Sequence, residues 1–100
     1  MALEIKEQHG IFEILGTVTS QNLGALSIYF QTVLEKEESI VVNIEGVVKM
    51  DSSSALFFEK LYKEAAASHK VVTIVGKQNA DIAKIMRMTK TDYILSPDRA

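Results

Sequence analysis

Asp51-Ser52-Ser53-Ser54 places three hydroxyls directly after a carboxylate. An apolar run precedes this stretch and an amphipathic, helix-spaced run follows it, so Asp51 sits where a strand ends and a helix begins. An aspartate at that junction can accept hydrogen bonds from the free backbone N–H groups of the first helical turn, worth about 1 kcal/mol. The serines fall in that turn. At least one hydroxyl is expected to face solvent beside the positive end of the helix dipole, where an added phosphate is stabilised. Phosphorylation adds about −1.5 to −2 charges. The formal net charge is −2, so modification would take it to roughly −4, concentrated at one spot. The plain alternative for Asp51 is a helix cap with no further role. The two readings are compatible, because a cap also fixes the geometry of the residue after it.

Leu56 lies four residues beyond Ser52 and therefore on the same helical face. It becomes a candidate partner contact if Ser52 is exposed. The other reactive residues point to no catalysis. Ser52 lacks the Gly-x-Ser-x-Gly elbow of a hydrolase nucleophile. Gly76-Lys77-Gln78-Asn79 lacks the upstream glycine of a phosphate-binding loop. His9 and His69 fall in turns, and neither has metal-ligand spacing. The chain has no cysteine, which removes disulfides and thiolate metal sites and fits a reducing compartment. The expectation is a chain that is not an enzyme and needs no cofactor or metal. It would be the substrate of another protein's catalysis. Met86 reads as core, while Lys84 and Arg87 read as a solvated helix face.

The elements that must position the serines follow from periodicity. Residues 2–8 alternate as a half-exposed strand, His9-Gly10 turns the chain, and Ile11 to Val18 forms a hairpin partner with Phe12 and Ile14 on one face. Ser20, Gln21 or Asn22 can start a helix whose apolar stripe is Leu23, Leu26, Phe30, Val33 and Leu34. Ile40–Ile44 is a β-branched run of a central strand, interrupted by Glu45-Gly46 and resumed by Val47-Val48. The second helix, about 52–68, buries Ala55, Phe58, Leu61, Tyr62 and Ala65. Val71–Val75 is the next strand. Asn79 or Asp81 can cap a third helix with the stripe Ile82, Ile85, Met86 and Thr89, and Tyr93-Ile94-Leu95 can form a last short strand before the tail Pro97-Asp98-Arg99-Ala100. The fold class is α/β: a mixed four- or five-stranded sheet with about three helices in the order β-β-α-β-α-β-α-(β).

One hundred residues make a single domain, 1–100, with one core. The slight negative charge offers no field for nucleic acid. The N-terminus has charges within its first seven residues and no long apolar core, so it is no signal peptide, and no apolar run suffices for a membrane span. These features read as a soluble cytoplasmic domain without direct membrane insertion.

The run Ile40-Val41-Val42-Asn43-Ile44-Glu45-Gly46-Val47, then Met50-Asp51-Ser52-Ser53, Leu61-Tyr62-Lys63 and Val72-Thr73-Ile74-Val75-Gly76, resembles a STAS domain. This is the family of bacterial anti-sigma factor antagonists and their relatives, and the likeness runs from Ile11 to about Leu95. It implies that Ser52 is the phosphorylation site, with Ser53 and Ser54 as lesser candidates, and that Asp51 is the switch cap. It also implies that Ser53, Ser54 and Leu56 flank the partner surface. The implied partners are an anti-sigma factor that is also a serine kinase, bound by the unphosphorylated form, and a serine phosphatase that resets the cycle. The chain departs from the family at Ser54, where glycine is usual, at Leu56, where a small residue is common, and at Thr19 and Ser20, where an acidic residue is frequent. The family's C-terminal helix is expected to be missing. STAS-like chains also serve as docking subunits of transport systems, including lipid transporters, or of larger signalling assemblies. That is the alternative implied function.

Overall fold

The computed structural model describes residues 2–97. The elements run β1 (Glu4–Gln8), β2 (Ile11–Val18), α1 (Leu23–Lys36), β3 (Ser39–Asn43), β4 (Val47–Met50), α2 (Ser52–Ala67), β5 (Val71–Val75) and α3 (Ala80–Met88). The sheet order is β1-β2-β3-β5, with β4 beside β2 beyond the end of β3. β1 is antiparallel to β2, whereas β3 and β4 run parallel to β2, and β5 runs parallel to β3. The hairpin and crossover pattern read from the sequence is therefore the observed one.

Two features of the element order differ from expectation. The β-branched run after α1 splits into two strands. Asn43 Oδ1 accepts the Glu45 N–H at 2.9 Å, and the Val47 N–H reaches Ile44 O at 3.1 Å, so the backbone turns and then rejoins β2 further along. β2 shifts register between Gly16 and Thr17 to receive it. Gly16 sits at φ +89°, and a Cβ there would lie 2.0 Å from Ala2 O. Only glycine fits that bend. The expected strand at 93–95 is instead a 3-10 turn, Asp92–Ile94, and only Leu95 bridges to Ile74 of β5. The Tyr93 hydroxyl donates to Glu59 Oε2 at 2.6 Å, which ties this turn to α2. Asp98, Arg99 and Ala100 of the expected tail lie outside the described residues.

The core lies where the period-2 stripe of the strands meets the helical stripes. Phe12, Ile14 and Val18 of β2, Ile40 and Val42 of β3, and Val72 and Ile74 of β5 are buried against Leu26 and Phe30 of α1, Phe58 and Leu61 of α2, and Ile82 and Met86 of α3. Tyr62, expected in the buried stripe of α2, is half-buried, and Thr89 is the C-cap of α3.

The turns carry measurable strain. His9 and Gly10 both have positive φ, as a two-residue hairpin turn of the mirror-image type demands. His69 and Lys90 follow the C-caps of α2 and α3 at φ 62° and 60°. In each case the next residue's N–H closes back onto the helix, Lys70 on Ala65 O and Thr91 on Met86 O, both at 2.8 Å. This is the glycine-preferring Schellman ending with a side chain in the left-handed region. His69→Gly and Lys90→Gly are each expected to raise the unfolding free energy by about 1 kcal/mol, read from urea midpoints.

Candidate functional site

β4 delivers Asp51 to the start of α2 in extended conformation, φ −97° and ψ 174°, the geometry of a helix N-cap. Asp51 Oδ1 accepts the Ser54 N–H at 2.9 Å and is 2.7 Å from the Ser54 hydroxyl. Its Oδ2 accepts the Ser20 N–H at 3.0 Å, from the loop between β2 and α1. Both carboxylate oxygens are therefore engaged. The Ser54 hydroxyl holds the Asp51 carboxyl below its ordinary range, with the Ser54 and Ser20 N–H groups adding to the effect against the opposing cost of burial. The expected cap is thus present, and it also joins two loops that are 31 residues apart.

The three serines fare differently. Ser52 and Ser53 are exposed, and their hydroxyls bond to nothing among the described residues. They are the first two helical residues, whose own N–H groups have no intrahelical acceptor. Ser54 is 0% exposed, and its hydroxyl also lies 3.0 Å from Val18 O at the end of β2. That overturns two expectations. A buried hydroxyl held between a carboxylate and a backbone carbonyl is neither open to a kinase nor part of a partner surface. Ser54 belongs to the frame of the site. Leu56 is 50% exposed, on the side of α2 that carries Ser52.

The loop that receives Asp51 is shaped by its own side chains. Asn22 stands at the N-cap position of α1, yet its side chain makes no capping bond. Its Oδ1 turns back to accept the Thr19 N–H at 2.9 Å, which leaves the neighbouring Ser20 N–H for Asp51. His9 and His69 sit at the left-handed turn positions described above, away from this junction in the chain. Among the described residues, no group of three or more His, Asp and Glu side chains could hold a metal ion.

The STAS domain family matches residues 1–98. The chain belongs to the STAS-domain family. Its fold is similar to that of the anti-sigma factor antagonist SpoIIAA in its unphosphorylated form, with a TM-score of 0.71 and 14% identity over 95% of this chain and 86% of that one. It is also similar to a protein of the DUF3478 family with a SpoIIAA-like fold from Shewanella loihica, at TM-score 0.54 and 16% identity over 98% of this chain and 80% of that one. A third structure, Mglu, matches 71% of the chain at TM-score 0.57 and 11% identity, and the match spans only 18% of Mglu. No curated protein sequence matches this STAS domain. Among its described residues, no helix is long and apolar enough to cross a membrane.

In this STAS domain the junction presents exposed serine hydroxyls at the start of α2. Asp51 is already saturated by Ser54 and Ser20, so it is a poor base for the Ser52 hydroxyl. Sequence reasoning placed Ser54 at the site only as a surface hydroxyl, and it missed the Ser20 amide. Their partners, Val18 and Asp51, lie 36 and 31 residues away in the chain, so no local pattern links them.

Proposed function

We propose that this STAS domain is an anti-sigma factor antagonist switched by phosphorylation of Ser52. The observation that carries the reading is the exposed, unbonded Ser52 hydroxyl at the first residue of α2, beside a cap that other groups hold in place. A phosphate at that position meets free N–H groups and the positive end of a 16-residue helix. It needs no rearrangement of the core. The unphosphorylated face binds a serine kinase that doubles as an anti-sigma factor. The phosphorylated face carries about two more negative charges, and a partner must desolvate or oppose them to stay bound. A serine phosphatase restores the first state. The transporter-docking alternative comes from other STAS-like chains, and the Ser54 departure from glycine leaves room for it. With that hydroxyl consumed inside the fold, no observation favours it.

The test is to incubate the protein with candidate serine kinases and Mg-ATP, and to compare the kinase affinity of the product with that of the starting protein. Phosphate on Ser52 with loss of binding is expected. Binding unchanged by a phosphate on Ser52 contradicts the switch. Leu56→Glu is expected to abolish kinase binding while moving stability by no more than about 0.5 kcal/mol, as for other surface substitutions. An unaltered dissociation constant removes Leu56 from the contact.

A further inference from the structure

Charge is unevenly placed along the chain. From Lys77 to Tyr93 there are four cations, Lys77, Lys84, Arg87 and Lys90, against two carboxylates, Asp81 and Asp92. That is a net charge of +2 on a chain whose formal net charge is −2, so the rest of the molecule is net negative. All four cations are exposed, and among the described residues none of them forms an ion pair. The lysines of α2 differ. Lys60 lies 4.0 Å from Glu64, and Lys63 lies 3.8 Å from Glu59.

Two of the free cations line a recess. The loop after β5, α3 and the 3-10 turn enclose about 500 Å³, lined by Lys77, Ala83, Arg87, Asp92, Tyr93 and Leu95. Ala83 and Leu95 are buried and supply its apolar part. Lys77, Arg87 and Asp92 are exposed charges. The Tyr93 ring is 57% exposed, and its hydroxyl is held by Glu59 of α2. Met88, next to Arg87, is 71% exposed. Exposed Arg, Tyr and Met together are the side chains that protein interfaces favour.

The chemistry of an occupant follows from this lining. The cations select carboxylates, the apolar part selects one apolar side chain, and Asp92 repels a ligand that is anionic at every position. A lipid surface fits poorly. A membrane-bound helix turns its apolar face to the lipid, whereas Ile82 and Met86 of α3 are in the core, and a flat surface cannot fill a recess. We infer that this recess is the docking site for a short acidic segment of another protein. An apolar side chain of the segment enters over Ala83 and Leu95, and its flanking carboxylates meet Lys77 and Arg87. The Arg87 guanidinium can hold a carboxylate through two parallel N–H bonds. The site involves neither Ser52 nor its phosphate, and it stands whether or not that serine is modified.

The test uses the whole chain, isotope-labelled, and two end-blocked synthetic peptides. One is Glu-Asp-Leu-Glu-Asp, and the neutral control is Gln-Asn-Leu-Gln-Asn. The acidic peptide is expected to give saturable amide shifts gathered at 76–77, 83–88 and 92–95, and the control is expected to give none. Its dissociation constant should rise at least about fivefold between about 0.05 and 0.5 M NaCl, because exposed ion pairs are screened. Arg87 and Lys36 are the basic residues in the last turns of α3 and α1, which makes a matched pair of variants. Arg87→Gln should raise the dissociation constant at least about fivefold, whereas Lys36→Gln should leave it within about twofold. The proposal is overturned by the absence of saturable shifts from the acidic peptide, by shifts spread over the chain or gathered elsewhere, or by an equal loss of affinity in the two variants. Sedimentation of the protein with vesicles of phosphatidylcholine and phosphatidylglycerol in equal parts, abolished by Arg87→Gln, also overturns it, because the face then belongs to a membrane.

Discussion

Asp51→Ala is expected to lower the unfolding free energy by about 3 kcal/mol, read from chemical denaturation at neutral pH. The substitution removes the cap bond to Ser54 N–H. It also leaves the Ser54 hydroxyl buried with only Val18 O to face, and it releases the Ser20 amide. For a domain of this size the loss corresponds to about 4–8 °C in Tm for each kcal/mol. The pH dependence has a definite sign. The folded carboxyl is held below its ordinary range, first by the Ser54 hydroxyl. Its contribution is therefore fully present above the unfolded value of about 3.9 and is lost as pH falls through the lower folded value. Wild type should lose stability across that acidic window, and Asp51→Asn should lose less of it. Equal acid slopes in the two proteins would mean that the carboxylate is not held as described. The loss should also reach function. With Ser20 and Ser54 released, Ser52 remains exposed but no longer sits on a fixed turn.

Asn79→Ala is expected to cost a similar amount, about 3 kcal/mol, at a site distant in sequence from the serines. Asn79 Oδ1 caps α3 by accepting the Ile82 N–H at 3.3 Å. Its amide nitrogen donates to Glu45 O and Val47 O, both at 2.9 Å. One side chain thus closes the start of α3 and the break between β3 and β4. Asn79→Asp separates these roles. Aspartate is an equally good cap, but a carboxylate accepts only and would face two carbonyl oxygens. At neutral pH Asn79→Asp should therefore be at least as unstable as Asn79→Ala, and it should recover part of the difference on acidification as a proton supplies one donor. If Asn79→Asp matched wild type at neutral pH, the bonds to Glu45 and Val47 would carry no weight.

Much of this frame was legible in the sequence, for local reasons. Ile11 to Val18 alternates, and its even positions are buried. The α1 stripe recurs at three and four residues and buries Leu26 and Phe30. Asp51 and Asn79 announce helix starts through their type and place, and both do cap. What stayed hidden depends on groups brought together by the fold. Ser54 looked like a third surface hydroxyl, because nothing in Asp51-Ser52-Ser53-Ser54 says which side of the first turn faces Val18. Tyr93-Ile94-Leu95 has strand-like residues, yet Asp92–Ile94 coil into a 3-10 turn, and pairing with β5 is confined to the Leu95 bridge and the Ser96 N–H on Ile74 O. The break between β3 and β4 was visible as Glu45-Gly46, but the shift of β4 along β2 depends on the bend at Gly16, far away in the chain.

The measurement that bears most directly on the central claim is a pair of crystal structures, before and after phosphorylation by the kinase. The account predicts a phosphate on Ser52 Oγ over the first amides of α2, with Asp51 still bonded to Ser20 and Ser54 and the α2 backbone superimposing between the two states. A phosphate on Ser54, or an α2 whose first turn has unwound to accept one, would contradict it.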